Sequence, residues 1–256
     1  MNNSLTFLGT GTSQGVPVIG CTCEVCSSSD HKDKRLRTSA FIQWNGQHIV
    51  VDSGPDFRYQ MLREGIQKLD ALLLSHEHND HIIGIDDIRP FNFMQKGKLN
   101  VFANETVSKN LLARFAYVFE ENPYPGAPQI HLNTITKDSI VQLDQHSIIP
   151  VQLTHGITES MGYRFGNLAY LTDMKTLPQH EYSKLEGIET LVINCLRKEA
   201  HFSHLNLEEA LEFIEEIKPQ QTYLTHISHR FGTSQAITEL LPPNVHVAYD
   251  RLKIAF

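Results

Sequence analysis

The stretch Ser75-His-Glu-His-Asn-Asp-His81 sets His76, His78, Asp80 and His81 directly behind the apolar run Ala71-Leu-Leu-Leu74. Gathering such groups at the end of a buried strand is costly unless something compensates them. Divalent cations are the compensation that imidazole and carboxylate donors suit. On an extended backbone alternate residues share a side, so His76 and His78 converge while Glu77 and Asn79 point away. Asp80 and His81 are neighbours and diverge unless the backbone turns. The four donors therefore suit two ions side by side, His76 and His78 on the first and Asp80 and His81 on the second. Further ligands are needed, and other apolar runs end in them. His155 closes Pro-Val-Gln-Leu-Thr-His, Asp173 closes Leu-Ala-Tyr-Leu-Thr-Asp, and His226 closes Thr-Tyr-Leu-Thr-His.

A second donor cluster is Cys21-Thr-Cys23-Glu-Val-Cys26. Four cysteines are too few for a disulfide scaffold, and three this close read as a structural zinc site lacking one ligand. Cys195 and His229 are the candidates for the fourth. Cys195 closes an apolar strand, where cysteine is commonly a small buried residue. His229 follows His226 by three positions and would staple the amino-terminal loop to the carboxy-terminal one. The preceding Gly9-Thr-Gly11-Thr-Ser-Gln-Gly15 lacks the Gly-Lys-Ser/Thr ending of a phosphate loop, so its glycines read as a turn near the metal rim. Asp52, in Val-Val-Asp-Ser-Gly54, either hydrogen-bonds a ligand imidazole from behind or is a turn aspartate. The basic run 32–37 reads as a solvated face, with phosphate binding as the alternative.

These side chains need a scaffold. Strand-like runs cover 4–8, 38–44, 48–52, 71–75, 100–103, 148–154, 162–165, 168–172, 190–194, 221–225 and 246–248. Asn45-Gly46 and Gly166-Asn167 are two-residue hairpin signals, which imply largely antiparallel pairing. Helical spacing appears over 57–66, 104–119 and 206–218. In the last, Leu207, Ala210, Leu211, Ile214 and Ile217 form one stripe, Asn206 and Glu209 can form a capping box, and Pro219 ends it. Many strands and a few one-sided helices predict two sheets packed face to face under outer helices, an α+β single domain over 1–256. The proline-rich 120–128 must be a loop, and it can cover the site.

The motif His-x-His-x-Asp-His, followed by His155, Asp173 and His226, resembles the metallo-β-lactamase fold superfamily over essentially the whole chain. That resemblance implies a four-layer αββα sandwich, Asp173 bridging two metals, His155 on the first and His226 on the second. Flavodiiron proteins of this fold typically carry glutamate where His78 stands; histidine there suits hydrolysis on zinc or manganese. The amino-terminal glycines and cysteines, with Leu-Thr-His-Ile-Ser-His, look like the PhnP-like phosphodiesterases that open 5-phosphoribosyl 1,2-cyclic phosphate. In that family three cysteines and the last histidine hold a structural zinc, which supports His229. A further family histidine lies 22 positions before the last active-site ligand, and His204 occupies that position, with His201 as a rival.

The resemblance thus implies a hydrolase with two active-site ions, zinc or manganese, acting on a small phosphodiester. Ions of this kind supply a nucleophile at neutral pH and neutralise phosphoryl charge. Asp80 would orient the nucleophile, and His204 would contact a phosphoryl oxygen or protonate the leaving group. A formal charge of −7 argues against a general nucleic-acid binder. No run approaches a membrane span and the start lacks a secretion signal, so a cytoplasmic protein is expected. A small-molecule substrate is the expected partner, and a homodimer is compatible with the sequence. The rivals are a tRNA 3′-end endonuclease, the pyrroloquinoline quinone-associated branch of the fold, and a non-catalytic zinc-stabilised binding protein.

Overall fold

The computed structural model describes residues 3–256. Two seven-stranded sheets face each other. The first runs β14-β1-β2-β3-β4-β5-β6. Its strands are β1 (Ser4–Gly9), β2 (Ser39–Trp44), β3 (Gln47–Val51), β4 (Ala71–Leu73), β5 (Leu99–Ala103), β6 (Ile130–Thr134) and β14 (Lys253–Ala255). The second runs β13-β12-β11-β10-β9-β8-β7. It comprises β7 (Val141–Leu143), β8 (His146–His155), β9 (Thr158–Phe165), β10 (Leu168–Leu171), β11 (Thr190–Asn194), β12 (Gln221–Thr225) and β13 (Val245–Val247).

Inward side chains of both sheets, among them Phe7, Ile42, Trp44, Tyr163, Tyr170 and Val192, make the central core. A short helix α1 (Glu24–Ser27) lies in the amino-terminal loop, and the outer face of the first sheet packs on α2 (Phe57–Glu64), α4 (Arg89–Gln95) and α5 (Glu105–Arg114) through Met61, Phe91 and Leu111. The outer face of the second packs on α6 (Leu207–Ile217) through Ala210, Phe213 and Ile214. Apolar residues therefore alternate between two burying faces, which gives the helix–sheet–sheet–helix layering. In α6 the expected cap forms both ways: Glu209 N–H donates to Asn206 Oδ1 at 2.9 Å, and Asn206 N–H to Glu209 Oε2 at 3.0 Å.

Both hairpin signals hold. Asn45 and Gly46 take φ of 50° and 85° between β2 and β3, and Gly166 takes 62° between β9 and β10. The expected antiparallel majority does not hold. β3-β4-β5-β6 and β10-β11-β12-β13 pair in parallel. Helices cross over between most of these strands, and two short hairpins could not report on them. The strands the sequence reading leaves out, β6, β7 and β14, each lie at a sheet edge. Edge strands are short and half solvated, so they lack the apolar run that marks an inner strand. The helix expected over 104–119 ends at Arg114, followed by a 3-10 turn over Ala116–Val118.

Candidate active site and metal centres

Parallel pairing decides where the donors meet. β3, β4, β10 and β12 all end at one rim, and chemistry-bearing side chains follow each carboxyl end. Asp52, Asp173 and His226 each stand one residue or two beyond a strand with left-handed φ, 65°, 56° and 56°. That conformation is unfavourable for a residue with a Cβ and is concentrated at functional sites. After β4 the chain bends at Glu77 and returns to an extended backbone at His78, which precedes the one-turn helix α3 (Asn79–Ile82). The turn aims Asp80 and His81 at the same space. It is pressed against the end of β3: a Cβ on Gly54 would stand 2.0 Å from the Asp80 carbonyl oxygen, so only glycine fits there. Ser75 links the sheets, its carbonyl accepting from Met161 N–H at 2.8 Å, and Tyr163 OH donates to Leu74 O at 2.7 Å.

Asp173 is at the centre. Its Oδ1 lies 2.9 Å from His204 Nε2, and its Oδ2 lies 3.4 Å from His81 Nε2 and 3.3 Å from His226 Nδ1. His81 Nε2 also lies 3.2 Å from Asp80 Oδ2. On the other side His76, His78 and His155 bring ring nitrogens within 4.8 Å of one another, and the ring nitrogens and carboxylate oxygens of His76, His81 and Asp173, and of His155, Asp173 and His204, converge as closely. Each of the seven expected ligands is thus at one cluster, with His204 against it.

The surroundings set ring orientation. Asp52 is fully buried, and its Oδ2 is 2.6 Å from His81 Nδ1 while Oδ1 accepts from Ser75 N–H at 2.8 Å. With Nδ1–H donated there, His81 presents Nε2 to the cluster. His155 donates from Nδ1 to the Ser203 carbonyl at 2.8 Å, which likewise turns its Nε2 inward. Burial would push the Asp173 carboxyl up, but His226 and His81 beside it, with the hydrogen bond from His204, hold it well below the usual carboxylate range. Burial would likewise raise Asp80, and His81 outweighs it. Burial pushes His226 down to about 3 and His76 well below the usual imidazole range. Both rings are therefore neutral, and His226 Nδ1 is left with no hydrogen-bond partner.

A cation fits this set. His81 Nε2 and His226 Nδ1 are buried with no hydrogen-bond partner, and both face carboxylates. Nitrogens left so would be costly unless they bind something. Imidazoles and carboxylates at this spacing are typical of a dinuclear metal site.

The cysteine cluster closes with His229. Its Nδ1 is 3.3 Å from Cys21 Sγ, 3.5 Å from Cys23 Sγ and 3.6 Å from Cys26 Sγ. Four soft donors converging on one point fit a structural metal. The Cys26 backbone N–H and the His229 ring hold the Cys23 thiol down at about 6, and burial pushes Cys26 up to about 11. Cys195 is fully buried in the core under α6.

Residues 47–227 match the beta-lactamase superfamily domain. The chain belongs to the metallo-β-lactamase superfamily. A crystal structure of a new diphosphatase from the PhnP family superposes with a TM-score of 0.93 at 40% identity, over 100% of this chain and 98% of that one. An octanoyltransferase of Porphyromonas gingivalis is 42% identical over 249 residues, 96% of this chain and 50% of that protein, so the chain spans about half the length of this curated relative. A ribonuclease Z of Pyrobaculum islandicum is 23% identical over 95% of this chain and 94% of its own length. The PhnP-family hydrolase fold, together with a His/Asp site suited to metal, is thereby established. Among the described residues no helix is long and apolar enough to cross a membrane.

Several side chains of this metallo-β-lactamase fold sit differently from the sequence reading. The run 32–37 is not a solvated basic face. Arg35 is buried, donating to Thr10 Oγ1, Ala248 O and Ser234 Oγ at 2.8, 2.6 and 2.9 Å, and Arg37 pairs with Asp56 at 3.1 Å. The run ties the amino-terminal loop to the carboxy-terminal one. Beside them, Gly11 bridges to Ile227 and Thr12 N–H donates to the Ile227 carbonyl. His201 lies 3.2 Å from His204, on the far side of it from Asp173. Ser75, whose Oγ is 2.8 Å from Asp52 and 3.0 Å from His76, is a contributor the reading missed. So is Arg114 of α5, which donates to the Glu77 carbonyl and to Asn79 Oδ1 at 3.1 and 2.7 Å and steadies the histidine loop. A lone serine or arginine carries no spacing signal that would reveal such contacts.

Proposed function

We propose that the protein is a dinuclear-metal-dependent hydrolase of phosphorus–oxygen bonds that cleaves a small phosphodiester or a diphosphate. The observation that carries this reading is the Asp173 carboxylate facing two buried, unpartnered imidazole nitrogens with four further donors around them. The PhnP-family diphosphatase neighbour supports phosphorus–oxygen cleavage, the bond that opening a cyclic phosphodiester such as 5-phosphoribosyl 1,2-cyclic phosphate also breaks. His76, His78, His155, Asp80, His81, His226 and the central Asp173 would hold two divalent ions, zinc or manganese; Cys21, Cys23, Cys26 and His229 would hold a structural zinc. Bound there, such ions neutralise phosphoryl charge and acidify water.

The chain's own groups supply the rest. Asp80 is half-buried and held as a carboxylate, so it accepts a hydrogen bond from the attacking water and orients it. His204 lies with Nε2 toward Asp173 and Nδ1 at 3.0 Å from Ser203 Oγ, in position to contact a phosphoryl oxygen or pass a proton to the leaving oxygen. Replacing Asp80 or His204 by alanine is expected to lower kcat on bis(p-nitrophenyl) phosphate by at least about 100-fold with melting unchanged. Turnover at the parent rate in both variants would reject these roles.

A tRNA 3′-end endonuclease is the second reading, favoured by the full-length match to ribonuclease Z. Ribosyl cyclic phosphate, a dinucleoside diphosphate and pre-tRNA, assayed with zinc and with manganese, separate the two. Processing of pre-tRNA at the expense of both small substrates would decide for the nuclease.

A further inference from the structure

Two exposed apolar side chains stand on the loops that carry His155 and His204, and nothing in the reaction above uses them. Phe202 is 76% exposed and Ile157 is 99% exposed. Each is two residues from a histidine of the centre: Ile157 follows His155, and Phe202 precedes His204. The two loops that carry them touch. A Cβ built on Gly156 would lie 3.0 and 3.3 Å from Phe202 ring carbons and 3.1 Å from Ser203 Cβ. The bare backbone of Gly156, with φ of 62° in the turn between β8 and β9, therefore leaves room for the Cδ2–Cε2 side of the Phe202 ring.

That contact is tied to the metal rim. The Ser203 carbonyl accepts the His155 Nδ1 hydrogen at 2.8 Å, so the residue after Phe202 is fixed to the residue before Gly156. The His201 ring lies 4.9 Å from the Phe202 ring, tilted by 37°. Two apolar side chains with most of their surface in water thus stand on adjoining loops whose backbones are joined by a hydrogen bond from a ligand histidine. A solvated loop tip would need none of these ties.

We propose that Phe202 and Ile157 form a stacking platform for a planar aromatic group of the substrate, the purine or pyrimidine base of a nucleotide, whose phosphate then falls on the His/Asp cluster. The inference rests on the reading of that cluster as a phosphate-handling site. Every base offers a π face, so a phenylalanine platform recognises the class without selecting one base. The aromatic side chain has only two torsions to immobilise, which favours it as a contact surface.

Calorimetry on the metal-loaded protein with AMP and ribose 5-phosphate tests this, since the two probes share the sugar phosphate and differ in the base. AMP is expected to bind about tenfold more tightly. Phe202→Ala should remove that preference, Ile157→Ala should weaken it, and Phe202→Tyr should restore it. Equal affinities of the parent protein for the two probes, or a preference intact in both alanine variants, would overturn the platform. An AMP preference lost in Phe202→Ala, in a protein that hydrolyses no phosphodiester or diphosphate, would support the platform and reject the reaction proposed above.

Discussion

Replacing Asp52 by asparagine removes the carboxylate that holds His81 Nδ1 at 2.6 Å and fixes which ring nitrogen faces the centre. The amide keeps the volume and still accepts from Ser75 N–H, so the fold should survive. The His81 ring then loses its enforced tautomer, and metal affinity should fall by roughly 10- to 100-fold, the usual effect of losing such an outer partner. Competition with a chromophoric chelator measures it; an affinity equal to the parent's would mean that Asp52 is only a turn residue. At this scale the sequence shows residue types but not reach. Asp52 is legible as an aspartate before a glycine, yet its contact spans 29 positions to His81. Arg35 is the opposite case, a residue whose basic neighbours suggest exposure and whose three acceptors lie 25, 199 and 213 positions away.

Among the elements, α6 is legible in its periodicity and its cap, because both are local. Asn206→Ala removes the acceptor for Glu209 N–H and one half of the capping box, at a cost of about 1 kcal/mol. For a chain of this size that is a fall in melting temperature of about 2–4 °C. A thermal scan that does not move would show that the packing of Ala210, Phe213 and Ile214 alone fixes the helix. The loop before this helix carries His204 and Phe202, so the cap also anchors the approach to the site. Elements with weak local signals escaped. The one-turn α3 is too short for a period, although it is what lets Asp80 and His81 face the same way. The edge strands β6, β7 and β14 escaped because half their surface meets water.

For the molecule as a whole, the Cys/His cluster joins segments more than 200 positions apart, as the 3.3–3.6 Å approach of His229 to Cys21, Cys23 and Cys26 shows. Cys23 is exposed, so Cys23→Ala removes a donor without opening the core. Closing a loop of that length restricts the unfolded chain, although the β1–β14 pairing already shares part of the restriction. The variant should lose one metal ion per chain by elemental analysis and melt about 5–10 °C lower, a few kcal/mol of lost cross-linking. Full metal content at an unchanged melting temperature would remove the cluster from any role in stability.

The sequence by itself determined the donor set and the layering. Ligand chemistry is written in residue type and in spacings of two to six positions, and strand or helix is written in periods of two and 3.6. The tertiary structure decided what those donors make together. Parallel pairing of β3 with β4 and of β10 through β12 brings distant carboxyl ends to one rim, and a glycine at position 54 lets the histidine loop close against it. The Phe202 platform likewise exists only because two loops, separated by about 45 positions in the chain, share a histidine–carbonyl bond. Such arrangements depend on contacts at long separation, for which local sequence carries no energy term strong enough to read.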